Sequence, residues 1–190
     1  MMASFPFDFS GAVLLPIDMQ RAIDWPGRPR RGNPALDENG LRLLASWREK
    51  GLPIIHVRHD SVEAESLFRP DHPGNALRPG FEPPAGEALL VKSVSSAFIG
   101  TDLDLRLRRL GAKRVVCFGW ATDMCVSTTI RTGANTGWEM VMVADACDCM
   151  ELPDAIGGGI IPAGEIHRVH VATLAAEFCR VVGTGDLCDG

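Results

Sequence analysis

The stretch Val115-Val116-Cys117-Phe118-Gly119-Trp120-Ala121-Thr122-Asp123-Met124-Cys125-Val126-Ser127-Thr128-Thr129 decides how the rest of the chain is read. It opens as a short apolar run of strand type, Val115 to Phe118, which Gly119 punctuates. Thr122 and Asp123 carry side-chain oxygens that can accept the unpaired N–H groups of a first helical turn, so a helix is expected from Asp123 to Asn135. Cys125 falls within that first turn, where the helix dipole favours thiolate over thiol. Two readings stand for it: a nucleophile at a strand–helix junction, or a small buried residue.

Working outward, apolar runs that read as buried strands recur at Ala12–Ile17, Pro53–Val57, Ala88–Val91 and Glu139–Ala144. Pro16 is awkward in the first of these, because proline donates nothing to a sheet ladder. A local irregularity is therefore expected beside Asp18. Helical periodicity covers Pro34–Lys50, Asp102–Leu110 and Pro162–Phe178, and Arg180–Val182 reads as a final edge strand. Gly133, Ala134 and Gly137 give the helix after Cys125 a small-residue face that can lie close to a sheet. Strands alternating with helices imply a mostly parallel sheet covered on both faces, an α/β architecture. The stretch between Arg58 and Gly86 is polar, rich in Pro and Gly, and long enough to suggest a functional loop.

The 190 residues are expected to form one domain over 1–190. A formal charge of −5 without a basic block argues against nucleic acid or an anionic membrane as partner. No apolar run reaches the roughly 20 residues of a membrane helix, and Met1–Ser10 lacks the pattern of a signal peptide. A cytoplasmic location is the expectation that remains. The six cysteines include a lone Cys147-x-Cys149 pair without a second pair at zinc-finger spacing, so packing is the expected role of all but Cys125.

In parallel sheets, ligands gather at the carboxyl ends of the strands. Asp18 follows the first strand, Lys92 the third, and Cys125 lies just past the fourth. Each is weak evidence alone: an Asp there is commonly a cap, a Lys solvated, a Cys packed. Together they form a chemically sensible set. A thiolate attacks an acyl carbon, a carboxylate relays the proton, and an ammonium favours both anions. The basic group Arg28, Arg30 and Arg31 reads as solvated surface or as an attractor for an anionic substrate group.

Around these residues the chain resembles the isochorismatase-like cysteine hydrolases, a superfamily that includes nicotinamidases, N-carbamoylsarcosine amidase and ureidoacrylate amidohydrolases. The matching pieces are Leu15-Pro16-Ile17-Asp18-Met19-Gln20, the run from Lys92 to Leu103, and Gly119 to Thr129. Val143-Ala144-Asp145-Ala146 and Ala163-Gly164-Glu165-Ile166-His167 also fit. The resemblance implies a three-layer α/β/α fold with a six-stranded, mostly parallel sheet. It implies Cys125 as nucleophile, Asp18 as proton carrier and Lys92 as its ionic partner. It further implies a cis peptide at Trp120-Ala121 and an oxyanion hole from the N–H groups of Ala121 and Cys125.

The expected activity is hydrolysis of a C–N bond in a small amide, ureide or carbamoyl compound, with a vinyl-ether hydrolase or a non-catalytic binding protein as the alternatives. The resemblance departs at Pro16, at Ser95 and at His56-Val57-Arg58-His59-Asp60-Ser61, which does not follow the metal-binding order of nicotinamidases. No metal and no other cofactor is expected. His59 and Asp60 are expected to line the pocket or cap the loop and His56 to sit in the core, while Trp25, Phe68 and Trp120 are candidate pocket walls. The resemblance also implies a homo-oligomer, a dimer or tetramer.

Overall fold

The computed structural model describes residues 7–189. In chain order the elements are β1 (Ala12–Ile17), α1 (Leu36–Glu49), β2 (Ile55–His59), β3 (Ala88–Lys92), α2 (Leu103–Arg109) and β4 (Arg114–Trp120). They continue with α3 (Ser127–Asn135), β5 (Glu139–Asp148), a small antiparallel pair β6 (Leu152–Pro153) and β7 (Ile160–Ile161), α4 (Ala163–Glu177), β8 (Arg180–Val182) and α5 (Thr184–Cys188). The short pair β6–β7 and α5 are elements that the sequence periodicity did not indicate.

Six strands form one sheet in the order β3-β2-β1-β4-β5-β8, and every neighbouring pair is parallel. All six residues of β1 and all but the first of β4 are buried. Such unbroken apolar runs suit strands covered on both faces. From β1 the chain winds outward to β2 and β3, then returns to β4 and winds the other way. Right-handed crossovers in opposite directions put helices on opposite faces. Accordingly α1 packs with α5, and α3 packs with α4. Trp138 Nε1, just after α3, donates to Asp104 Oδ1 of α2 at 3.0 Å and ties that helix to the α3 side. The reversal of strand order between β1 and β4 opens a crevice at their carboxyl ends, where ligands bind in open α/β sheets.

The irregularity expected at Pro16 lies on the β2 side. Leu14 N–H donates to Pro53 O at 3.0 Å and Asp18 N–H to Val57 O at 2.9 Å. The rung between them would belong to Pro16, which has no N–H. On its other edge β1 pairs continuously with β4, from Ala12 opposite Arg114 to Ile17 opposite Gly119. Directly after the strand, Asp18 takes a φ of 52°, the one positive value of a non-glycine residue among the described residues. Its carboxylate is thereby turned away from the extended course of the strand.

Gly119 is required where it stands. Its φ is +124°, and a Cβ there would lie 2.2 Å from Ile17 O. Beyond it, β5 departs from regular register: Cys117 pairs with Met142, but Gly119 pairs with Cys147. The extra residues of β5 carry the strand to Asp148, past the expected end at Ala144. Of the expected small face on α3, Gly133 sits tightest, since a Cβ there would meet Met140 Sδ at 2.4 Å. Ala134 is half-buried, and Gly137 lies beyond the helix in a turn with φ +92°.

Candidate active site

The three strand-end residues converge on one ammonium. Lys92 Nζ lies 2.7 Å from Asp18 Oδ2, 3.1 Å from His59 Nδ1 and 3.3 Å from Cys125 Sγ. The Asp18–Lys92 ion pair is buried, with side-chain exposures of 2% and 0%. The second carboxylate oxygen, Oδ1, is also buried and has no hydrogen-bond partner among the described residues. It is the free acceptor of the group. The ligating atoms of Asp18, His59 and Cys125 all lie within 4.8 Å of one another.

This trio could in principle hold a metal ion. The Lys92 ammonium already stands within 3.3 Å of all three groups. A cation would have to displace it or be repelled by it, so the residues do not fit a resident metal.

The cysteine reaches this position differently from the helix cap read in the sequence. Thr122–Val126 forms a turn of π-helix ahead of α3, and Val126 N–H reaches back to Ala121 O at 3.0 Å. Neither Thr122 nor Asp123 caps it. Thr122 Oγ1 instead bonds His167 Nδ1 at 2.8 Å and donates to Asp148 O at 3.3 Å. Burial raises the Asp123 carboxyl. The expected thiolate-favouring environment is also reversed. Burial, then the charge of Asp18, pushes the Cys125 thiol up to about 12, with Lys92 pulling the other way. Cys125 therefore rests as a thiol. The Trp120-Ala121 peptide just before it is cis.

Supporting hydrogen bonds come from loops. Gln20, fully buried, donates from Nε2 to His59 O (3.0 Å) and Asn75 O (2.8 Å) and accepts His59 N–H at 2.8 Å. Asn75 Nδ2 donates to Asp60 Oδ1 and to Phe68 O, which folds the long loop back over the site. Burial first, and then the Lys92 charge, pushes the His59 imidazole below its ordinary range. It is neutral, and Nδ1 accepts from Lys92. His56 is a core residue, with Nε2 2.6 Å from Glu87 Oε2.

A cavity of about 360 Å³ opens over Cys125. Asp18, His59, Phe68, Trp120, Ala121 and Cys125 line it, together with Arg28, Ser66, Ser95, Met124 and Met150. Trp25 is not among the lining residues. It packs edge-to-face on His72, with ring centroids 4.7 Å apart, and the same loop presents Arg28 to the cavity instead. Of the other two basic residues, Arg31 is bound to Asp24 and Asp148, and Arg30 is exposed. Met124 and Met150 escaped the sequence reading because nothing local distinguishes them from core methionines.

A parallel α/β sheet with Asp, Lys and Cys gathered at its central crevice defines a hydrolase-type site, and comparison with known proteins gives the class. The Isochorismatase domain model matches residues 12–157, and the chain belongs to the isochorismatase family of hydrolases. It is 34% identical over 175 residues to YrdC of Bacillus subtilis, an uncharacterized isochorismatase family protein, covering 92% of this chain and 93% of that one. The crystal structure of an isochorismatase-family protein from Chromobacterium violaceum superposes with a TM-score of 0.93 at 39% identity, over 100% of this chain and 97% of that one. The ureidoacrylate amidohydrolase RutB of Methylorubrum extorquens is 29% identical in an alignment that covers 74% of this chain and 71% of that protein. No helix among the described residues is long and apolar enough to cross a membrane.

Proposed function

We propose that the protein is a cysteine amidohydrolase that cleaves the C–N bond of a small amide, ureide or carbamoyl compound through a thioester. The observation that carries this reading is the buried Lys92 Nζ standing within 3.3 Å of both the Asp18 carboxylate and Cys125 Sγ, two groups that line one cavity. Kinship with an amidohydrolase supports it.

Cys125 Sγ attacks the carbonyl carbon while its proton passes to Asp18 Oδ1. Because the thiol is pushed up to about 12, this transfer accompanies C–S bond formation rather than preceding it. The N–H groups of Ala121 and Cys125 hold the oxyanion, each donor being worth roughly 3–4 kcal/mol in comparable sites. Asp18 then protonates the leaving nitrogen, the C–N bond breaks, and ammonia or an amine departs. A water molecule gives one proton to Asp18 and attacks the thioester carbon. The C–S bond breaks, the acid is released, and the proton returns to sulfur. Lys92 balances the charge of the Asp18 carboxylate at the start of each half-reaction and that of the sulfur as it gains charge.

The test is a screen of amides, ureides and carbamoyl compounds with mass spectrometry of the quenched enzyme. An acyl adduct on Cys125 and loss of turnover in both Cys125→Ala and Cys125→Ser are expected. Turnover by Cys125→Ala would refute the covalent route, and vinyl-ether hydrolysis without any adduct would favour the isochorismatase reaction instead.

A further inference from the structure

Among the residues lining the cavity, the ionised side chains are Asp18 and Arg28. Asp18 is neutralised by Lys92, and His59 is neutral. Arg28 makes no ion pair among the described residues. Its neighbours differ: Arg31 pairs with Asp24 and Asp148, and Arg78 with Asp24 and Asp37. Arg28 Nε is buried and has no hydrogen-bond partner among the described residues. Its guanidinium carbon lies 6.0 Å from the centroid of Phe68, a ring in edge-to-face contact with His59 at 5.9 Å between centroids. Burial also pushes the guanidinium below its ordinary value. A half-buried, unpaired arginine is costly unless something completes it, and its planar fork matches carboxylate geometry.

We infer that Arg28 is a specificity residue that binds an anionic group of the substrate, a carboxylate, in the same cavity as the scissile C–N bond. The inference deepens the amidohydrolase reading and rests on it for the identity of the reacting bond. The substrate is then a small amide, ureide or carbamoyl compound carrying a carboxylate a few bonds from the cleaved nitrogen. Phe68, Trp120 and Met150 supply apolar wall to the same cavity.

The experiment uses matched pairs that differ only in charge, such as N-carbamoylglycine and its carboxamide, N-carbamoyl-β-alanine and its carboxamide. Each is tested for protection of Cys125 against iodoacetamide, which reads binding without turnover, and separately for hydrolysis. In the native protein the carboxylate of at least one pair should protect at a concentration tenfold or more below that of its neutral partner. In Arg28→Gln this gap should shrink at least fivefold, through loss at the carboxylate, and Arg28→Lys should keep a larger share of it. Equal protection by both members of every pair overturns the inference. So does an Arg28→Gln protein that keeps the gap, and so does the absence of protection by any carboxylate. Charge-selective protection with no hydrolysis of any compound leaves the anion site standing and removes the amidohydrolase reading.

Discussion

Replacing Asp18 by Asn should separate the reactivity of Cys125 from turnover, in opposite directions. The Asp18 carboxylate raises the thiol, and the carboxylate and Sγ lie within 4.8 Å of each other. At an effective dielectric of about 20, a unit charge at that distance is worth about 3.5 kcal/mol, or about 2.5 pK units on the thiol. Solvent at the cavity mouth weakens this. With the charge gone, Lys92 acts on the sulfur alone and favours thiolate. At pH 8, well below the thiol's value of about 12, the thiolate fraction should rise at least ~10-fold on this Coulombic argument. Peptide mapping of iodoacetamide alkylation reads that fraction at Cys125 apart from the other cysteines. Turnover in the same protein should fall at least ~100-fold, since the proton carrier is removed. Slower or unchanged alkylation in Asp18→Asn would refute the reasoning. It would mean that the resting sulfur already gives its proton to Asp18 and that burial does not hold it as a thiol.

Two further outcomes test the frame around the site. Gly119→Ala would place a methyl 2.2 Å from the Ile17 carbonyl oxygen at a φ of +124°, so the protein should lose about 3 kcal/mol or more of stability in urea unfolding; a native-like midpoint would refute the close β1–β4 contact. His56, His59 and His167 are all pushed down, in each case first by burial. The unfolded chain therefore binds more protons than the native one between their lowered values and about 6.5. The urea midpoint should fall on acidification from pH 7.5 to 5.5, less steeply in His59→Gln, and a rising midpoint would contradict the burial of these rings.

The strand ends were readable from sequence because a buried parallel strand is an unbroken apolar run, and a polar residue at its carboxyl end stands out. Asp18 and Lys92 stand out in that way, and Cys125 by its place in the first turn after the fourth strand. The first turn after β4 departs from its local sequence signals for a physical reason. Thr122 and Asp123 are good caps by local rules, but His167 and Asp148, which occupy Thr122, arrive from far along the chain. The walls of the cavity were legible only in part. Phe68 and Trp120 reach it, whereas the loop after β1 turns Trp25 onto His72 and sends Arg28 inward. Which side of a loop faces the site depends on contacts such as Gln20 and Asn75 with the His59 carbonyl, and no local periodicity encodes those.

The high resting value of the thiol is compatible with the proposed nucleophilic role because of where the proposed mechanism sends its proton. A value of about 12 describes loss of the proton to solvent, which would leave a third charge beside the Asp18–Lys92 pair. Transfer to Asp18 is different. Before it, the buried charges are Asp18 and Lys92; after it, they are the sulfur and Lys92, and the net charge has not changed. Lys92 exchanges an anion at 2.7 Å for one at 3.3 Å without moving. The desolvation cost that dominates the thiol's shift is then largely cancelled, because one buried anion replaces another beside the same cation. His59 fits this account as a neutral third partner of Lys92 at 3.1 Å. It fixes the ammonium between the two anions without adding a charge that would favour either one.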